Sequence, residues 1–456
     1  MTGFAPTLLN GKRYIVLGLG RNGLSAARAL ADMGAEVTAW DDNEKAREAL
    51  VNNAFGITLA PPDMTDHWDA LVLSPGIPHI LPSPNPIAAA AIAANIPILS
   101  DADILFESVR ASGSRARFAG ITGTNGKSTT TALLAHMLRH AGIPVAEGGN
   151  LGPAALSLPL LPDNGVYVLE MSSYMLERLQ TLHFDVACLL NMTPDHLDRH
   201  GDMSGYAAAK AHIFDRMTTD DLAITGASDE WSKDITLQVR MSGIPLVTIS
   251  GEDKATDLFC RDKTIFNRQN GQSVPQPISL PGAHNAENIA AVMAMASFLG
   301  ISHDEQIAAV NSFPGLPHRQ KMVACIDNIT FIDDSKATNA DATARALGCY
   351  EHVIWIAGGI AKAGGIESLK EFFPRITEAF LIGKDAQILA DTLSSCGVVH
   401  KIVTDMAHAV PSAFASAQKH GVNVVLLSPA CASFDQFSGF EARGLEFARL
   451  AGELSP

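Results

Sequence analysis

Two stretches of this chain set a glycine-rich turn between an apolar strand and a helix, and that arrangement restricts it to folds built on open, mostly parallel sheets. Residues 118–134, Phe-Ala-Gly-Ile-Thr-Gly-Thr-Asn-Gly-Lys-Ser-Thr-Thr-Thr-Ala-Leu-Leu, read as strand, turn and helix. In such a turn, backbone N–H groups and the positive end of the helix cradle phosphate oxygens. Lys127 then reaches the terminal phosphates of a nucleoside triphosphate, and Ser128 offers a hydroxyl to Mg²⁺. A standard loop counted back from Gly126 wants glycine at 121, where this chain has Ile121 between Gly120 and Gly123, so the loop is a variant. The other turn, Gly18-Leu19-Gly20-Arg21-Asn22-Gly23, follows the strand at 13–17 and opens a helix over 24–33. A second strand at 36–41 ends in Asp41, which completes a dinucleotide fingerprint. Taken alone the fingerprint says NAD, but the same turn suits any diphosphate at a helix N-terminus.

At 456 residues the chain is too long for one core. We expect an α/β protein of three domains: residues 1–107, Rossmann-like; 108–315, a central P-loop ATPase-type domain with a mainly parallel sheet; and 316–456, Rossmann-like. A strand at 70–73 ends in Ser74-Pro75-Gly76, and residues 108–116 read as a linker. In the central stretch, strands at 166–170 and 186–190 lead to Glu170 and to Asn191-Met192-Thr193-Pro194-Asp195-His196; helices are expected over 205–217 and 286–299. The run Pro314-Gly315-Leu316-Pro317 breaks any helix and marks the second boundary. Strands at 353–359 and 424–429 belong to the third unit.

The formal charge of −15 argues against a nucleic-acid binder, so anionic ligands must be held locally by helix N-termini and a few placed cations. The apolar stretch 87–99 is too short to span a bilayer, and the N-terminus lacks the regions of a signal peptide, which assigns the chain to the cytoplasm by default. Six cysteines without a Cys-x-x-Cys pair indicate neither a zinc site nor a disulfide framework.

Glu170, Asp195, His196 and Asp198 lie at or past strand ends, where ligands of Mg²⁺ belong, although acids and histidines beside a proline also serve plain loop hydrogen bonding. Lys210 is by itself an ordinary helix lysine. Asp333-Asp334-Ser335-Lys336-Ala337-Thr338-Asn339 reads as a polar turn, solvated or functional, and Arg319 just upstream has the character of a residue that neutralises phosphate charge.

Taken together, Gly123-Thr124-Asn125-Gly126-Lys127-Ser128, Glu170-Met171-Ser172-Ser173-Tyr174, Asn191 to Asp198, His318-Arg319 and Asp334 to Asn339 resemble the Mur ligases, the ATP-dependent amide-forming enzymes of peptidoglycan precursor synthesis. The run Leu427-Ser428-Pro429-Ala430-Cys431-Ala432-Ser433-Phe434-Asp435-Gln436-Phe437 is similar to that of the D-glutamate-adding branch. The resemblance covers essentially the whole chain. It implies ADP-forming ligation of D-glutamate to UDP-N-acetylmuramoyl-L-alanine by a monomer that uses ATP and two Mg²⁺ ions. Lys127, His196, Lys210 and Arg319 would be catalytic, with Ser128, Glu170, His196 and Lys210 at the metals and Lys210 N-carboxylated. ATP would meet Gly123, Thr124, Asn125, Gly126, Lys127, Ser128, Thr129, Asn285, Asn288, Arg319 and Asp334. The UDP-linked substrate would meet Gly20, Arg21, Asn22, Asp42, Ser74, Gly76, Asn150, Ser172 and His196, and D-glutamate would meet Lys336, Thr338, Lys362, Ser433, Phe434 and Phe440. The chain departs from the family pattern at Arg21-Asn22, Asp42-Asn43, Phe434 and Gly358-Gly359-Ile360-Ala361-Lys362. An NAD-dependent oxidoreductase and a non-catalytic UDP-sugar or nucleotide sensor are the rival readings.

Overall fold

Ala70–Leu73, Val166–Glu170, Val186–Leu189 and all but the first residue of Arg117–Thr122 are buried along their length, the pattern of strands covered by helices on both faces rather than the alternation of a one-sided sheet. The computed structural model describes residues 3–51, 56–362 and 364–454. These form an α/β fold with mainly parallel sheets, as expected. Contacts divide the chain into two compact units, one of Met1–Pro275 with Ala286–Ser312 and one of Gln276–Asn285 with Phe313–Pro456.

The first unit holds two sheets. One has five parallel strands in the order Ile57–Leu59, Glu36–Trp40, Arg13–Leu17, Ala70–Leu73, Ile98–Leu99. The other has nine strands, parallel from Val145–Gly149 at one edge to Leu258–Arg261, with Thr264–Asn267 and Ser273–Pro275 added antiparallel at the far edge. Arg13–Leu17 lies between Glu36–Trp40 and Ala70–Leu73, and Arg117–Thr122 lies between Val166–Glu170 and Val186–Leu189. Both glycine turns therefore leave their sheets where strand order reverses, the position at which open sheets leave a crevice for ligands. In the second unit a six-stranded sheet runs Lys321–Ile326, Ile329–Asp333, Val424–Leu427, Val353–Gly358, Ile376–Ile382, His400–Ile402, and only the first pair is antiparallel.

The expected linker at 108–116 is mostly something else. Helix Asp101–Ala111 runs through its first half, started by a capping box in which Ser100 and Asp103 bond each other's backbone N–H groups. Its last turn is stitched to the residues beyond it, because the Arg110 guanidinium donates to Ser114 O and Ala116 O and lies 4.8 Å from the Phe106 ring centroid. Serine and glycine content suggested flexibility, but packing of Arg110 overrides it. Helix bounds also shift: Arg21–Asp32 starts directly after Gly20, Met203–Ala211 passes into a 3₁₀ turn at His212–Phe214, and Ala283–Phe298 begins straight after Gly282. Among the described residues no helix is long and apolar enough to cross a membrane, and residues 87–99 divide between helix Pro86–Ala93 and strand Ile98–Leu99. All six cysteines are free.

Candidate active site

The turn after Arg117–Thr122 is shaped by two glycines with positive φ, Gly123 at 145° and Gly126 at 89°. A Cβ on Gly126 would stand 2.3 Å from Asn288 Oδ1, so a side chain there meets both strain and a clash. Neighbouring residues hold the turn open. Thr124 Oγ1 accepts from Thr193 N at 3.0 Å, and Asn125 N donates to Asn191 Oδ1 at 3.0 Å. Helix Lys127–His140 starts at once, with Ser128 and Thr129 buried in its first turn. Its N-terminal N–H groups face the loop, a ready seat for phosphate. The Lys127 ammonium donates to Gly123 O and Thr124 O, both at 2.8 Å.

Glu170 ends the neighbouring strand and is 2% exposed. Its Oε1 accepts from Asn150 Nδ2 at 2.8 Å, whereas Oε2 is buried with no hydrogen-bond partner. A carboxylate oxygen buried in this state costs stability unless something positive meets it, so the donor set suits a cation. Asn150 O in turn accepts from Arg21 Nη2 at 2.8 Å, so one short chain, Arg21–Asn150–Glu170, links the first glycine turn to the end of the strand that pairs with Ile121, two residues ahead of the second turn. Lys210 is 1% exposed; its Nζ donates to Gly123 O at 3.0 Å and lies 4.7 Å from the Tyr206 ring centroid. Burial, then the nearby Lys127 charge, drives the Lys210 amine well below the usual lysine value, against the pull of Asp195 and Glu170. His196 sits at φ 54° ahead of the short helix Leu197–His200, its Nδ1 3.0 Å from Tyr174 Oη and its Nε2 3.4 Å from Asp195. Among the described residues no three His, Cys, Asp or Glu side chains form a ready metal cage. Mg²⁺ held mainly by phosphate oxygens and water needs none.

At the first turn Gly23 is obligatory, because a Cβ there would lie 1.7 Å from Gly18 O. Asp41 does not act as the fingerprint suggests. Its Oδ2 accepts from Leu19 N at 2.7 Å and its Oδ1 from Asn43 N at 2.8 Å, so both oxygens shape the turn, and a ribose diol would have to compete for them. Ser74 Oγ donates to Gly18 O at 2.9 Å, Asp42 accepts from Trp40 Nε1 at 3.1 Å, and Asn22 Oδ1 accepts from Arg21 Nε at 3.4 Å. Gly20 and Gly76 face open space, and Ser172 caps helix Ser173–Leu176.

The sequence reading missed what fixes the Ser74–Gly76 turn. Arg178, 1% exposed at the side chain, donates to Leu73 O, Ser74 O, Pro75 O and Ile77 O at 2.7–3.2 Å. Glu177 bonds Arg199 and lies 3.5 Å from both Arg178 and His79. The only sequence signal was the acid–base pair Glu177-Arg178 inside an otherwise apolar stretch. Burial would raise the Glu177 carboxyl, but the nearby His79, the bond from Arg199 and the two guanidinium charges hold it at about 2. Its folded value lies below the ordinary 4.5, so the stability it contributes is full above that range and lost as pH falls toward 2. Glu177→Gln is expected to cost about 3 kcal/mol near neutral pH, by leaving two buried guanidinium groups without a counter-charge. Urea titrations of both proteins check this: the gap between them should narrow at about pH 3.

In the second unit, Asp334 follows strand Ile329–Asp333 and is buried; its Oδ2 accepts from Ser428 Oγ at 2.7 Å and its Oδ1 from Gln320 N at 3.2 Å. Burial pushes its carboxyl up to about 7 against those two bonds. Arg319 stands between His318 and Gln320, both with positive φ, and His318 Nδ1 is 2.7 Å from Asp333 Oδ2. Lys336 Nζ lies 5.2 Å from the Phe440 ring centroid, and Thr338 N donates to Lys336 O. Lys362 is exposed beyond the short pair of Ile360–Ala361 with Cys431–Ala432, Ser433 is buried, and Phe434 is 72% exposed. Asn285 belongs to this unit and donates to Pro281 O at 2.7 Å, while Asn288 belongs to the first, where its Oδ1 accepts from Thr130 Oγ1 at 3.2 Å.

Comparison with known proteins finds the Mur ligase middle domain over residues 121–296. The chain is 46% identical over 453 residues to the UDP-N-acetylmuramoylalanine–D-glutamate ligase of Paramagnetospirillum magneticum, covering 97% of each. It is 41% identical to the protein of that name from Caulobacter vibrioides, over 97% of this chain and 96% of that one. Among solved structures it resembles UDP-N-acetylmuramate–alanine ligase from Thermotoga maritima, with TM-score 0.58, 18% identity and coverage of 97% and 98%. It also resembles the MurF ligase of Thermotoga maritima in complex with ADP, with TM-score 0.58, 15% identity and coverage of 97% and 95%.

Proposed function

The chain belongs to the UDP-N-acetylmuramoylalanine–D-glutamate ligases of the Mur ligase family, and from that premise we propose how its residues divide the work of joining D-glutamate to the L-alanyl carboxylate of UDP-N-acetylmuramoyl-L-alanine at the expense of ATP. The observation that carries the reading is the chain Arg21–Asn150–Glu170, which ties a diphosphate-type glycine turn to a buried carboxylate on the strand beside Ile121, just ahead of the triphosphate-type turn. It suits a donor whose UDP end lies at Arg21, Asn22, Asp42, Ser74 and Gly76 and whose carboxylate end passes Asn150, Ser172 and His196 toward the γ-phosphate.

In this reading an oxygen of the alanyl carboxylate attacks the γ-phosphorus; the bond to the β,γ-bridging oxygen breaks, ADP leaves, and an acyl phosphate forms. The neutral amine of D-glutamate then attacks the acyl carbon, the carbon–oxygen bond to phosphate breaks, and the amine sheds a proton. Phosphorylation is needed because oxide is not a viable leaving group. Gly123 to Thr129 hold the phosphates with backbone N–H groups, and Lys127 and Arg319 offset charge on the transferring phosphoryl. Asn285, Asn288 and Asp334 hold the nucleoside. Lys336, Thr338, Lys362, Ser433, Phe434 and Phe440 orient the acceptor. Mg²⁺, when bound, neutralises phosphate charge and polarises the phosphoryl group. The residues that fit it are Ser128, Glu170 with its unpartnered buried oxygen, His196, and Lys210 if N-carboxylated; burial of Lys210 supports the neutral amine that carboxylation requires. The same logic proposes a monomer working in the cytoplasm.

An oxidoreductase is not favoured, since Asp41 is committed to backbone and the family is that of ligases. In an assay with ATP, Mg²⁺ and the UDP-linked substrate, phosphate release is expected only when D-glutamate is added. Release that ignores D-glutamate, or depends on another amino acid, defeats the reading.

A further inference from the structure

We infer that Arg443 is a positioning residue for the acceptor amino acid, one guanidinium that sets the spacing of the three loops proposed above to hold D-glutamate; the inference rests on that assignment. Arg443 lies in helix Phe440–Glu453, is 1% exposed, and its acceptors lie at or just past the carboxyl ends of three strands of the sheet. Nε donates to Ser335 Oγ at 2.9 Å, Nη2 to Ser335 O at 2.8 Å, and Nη1 to Cys431 O at 3.0 Å and Gly358 O at 3.3 Å. Ser335 Oγ passes the link on by donating to Phe440 O at 2.8 Å.

The strands concerned, Ile329–Asp333, Val424–Leu427 and Val353–Gly358, are successive neighbours in the sheet. Open α/β sheets bind ligands past the carboxyl ends of their strands, and the three loops there carry the proposed acceptor contacts. Ser335 immediately precedes Lys336, Gly358 precedes Lys362 on the same loop, and Cys431 precedes Ser433 on its own. Backbone bonds already join two of these loops, Gly358 N to Pro429 O at 2.9 Å and the pair of Ile360–Ala361 with Cys431–Ala432, and Arg443 adds Ser335 to them. Ala430 at φ 58° is a non-glycine residue in the left-handed region, a conformation that persists only where surroundings over-determine it.

A buried guanidinium is a costly way to fill space. None of its four acceptors is a carboxylate, and burial pulls its own pKa down to about 10 against the pull of nearby Cys431, Asp435 and Asp333, so it stays cationic at neutral pH. What an apolar residue cannot supply is a rigid fork that fixes several carbonyls at set distances. Lysine keeps the charge and loses the fork.

Steady-state kinetics of Arg443→Lys and Ser335→Ala test the inference, with KM measured separately for D-glutamate, ATP and the UDP-linked substrate and with melting temperature as control. Arg443→Lys is expected to raise KM for D-glutamate by about tenfold or more, to leave the other two KM values within about twofold, and to recover most of kcat at high D-glutamate. Ser335→Ala, which severs only the Nε link and the bond to Phe440, is expected to give a smaller rise of the same kind; it carries the test if Arg443→Lys does not fold. An unchanged KM for D-glutamate in both variants, or a parallel change in all three KM values with lowered melting, overturns the inference. Lys336→Ala distinguishes the underlying assignment: if it leaves KM for D-glutamate unchanged, the acceptor site itself is misassigned.

Discussion

Lys127→Ala is expected to lower D-glutamate-dependent ADP formation by about 10³-fold, with melting temperature nearly unchanged. The size follows from where the ammonium can act. It stands at the start of helix Lys127–His140 and is tied to Gly123 O and Thr124 O of its own turn. Those bonds are local and partly exposed, so their loss costs the fold little. In the proposed mechanism the same group offsets charge on the transferring phosphoryl that grows as the bridging bond breaks, a contribution that ground-state binding does not duplicate. The loss should therefore fall mainly on kcat, with a smaller change in KM for ATP. A variant retaining more than about a tenth of wild-type kcat would show that the loop binds nucleotide without using Lys127 in the chemistry. It would also revive the sensor reading.

The second large effect is expected at Lys210. Lys210→Ala should reduce turnover by about 10²-fold or more, and the wild-type enzyme should lose activity in CO₂-depleted buffer and regain it with bicarbonate. A lysine 1% exposed, with Lys127 nearby and Glu170 only partly compensating, is poorly placed to remain a cation. Carboxylation of the neutral amine by CO₂ forms an N–C bond, releases a proton and leaves a negative charge where the neutral amine stood. Such a group complements both Lys127 and a metal. Mass spectrometry under non-acidic conditions, or ¹³C NMR after labelled bicarbonate, reads the adduct without any assay of turnover. Full activity after rigorous CO₂ removal, with no labelled adduct, would leave Lys210 as a hydrogen-bond donor to Gly123 O.

Much of the fold could be read from the chain because strand, glycine turn and helix recur with strong local signals. The two turns at 18–23 and 123–128 require glycine where φ is positive or where a Cβ would collide, and that requirement is visible in sequence. The strand ending at Glu170 was equally legible from its unbroken apolar run. What escaped depends on partners distant in sequence. Asp41 has the position of a ribose-binding acid, and only folding shows its oxygens taken by Leu19 N and Asn43 N. Residues 108–116 looked like linker because the contacts that hold the end of helix Asp101–Ala111, Arg110 with Ser114, Ala116 and Phe118, cross an irregular stretch. Arg443 has no local pattern and Arg178 only its acidic neighbour Glu177, since their acceptors are mostly backbone carbonyls on other segments. Lys210 could be singled out only by family resemblance, and its burial gives it a physical reason.

Arg178 has one further consequence, for inhibitor design. With the carbonyls of Leu73, Ser74, Pro75 and Ile77 already taken by one buried guanidinium, the turn proposed to meet the UDP end has little conformational freedom left to lose when a ligand arrives. Compounds aimed there meet a fixed template. Their affinity should track how well a stiff scaffold matches that shape, and flexible linkers that let a compound adapt should weaken it.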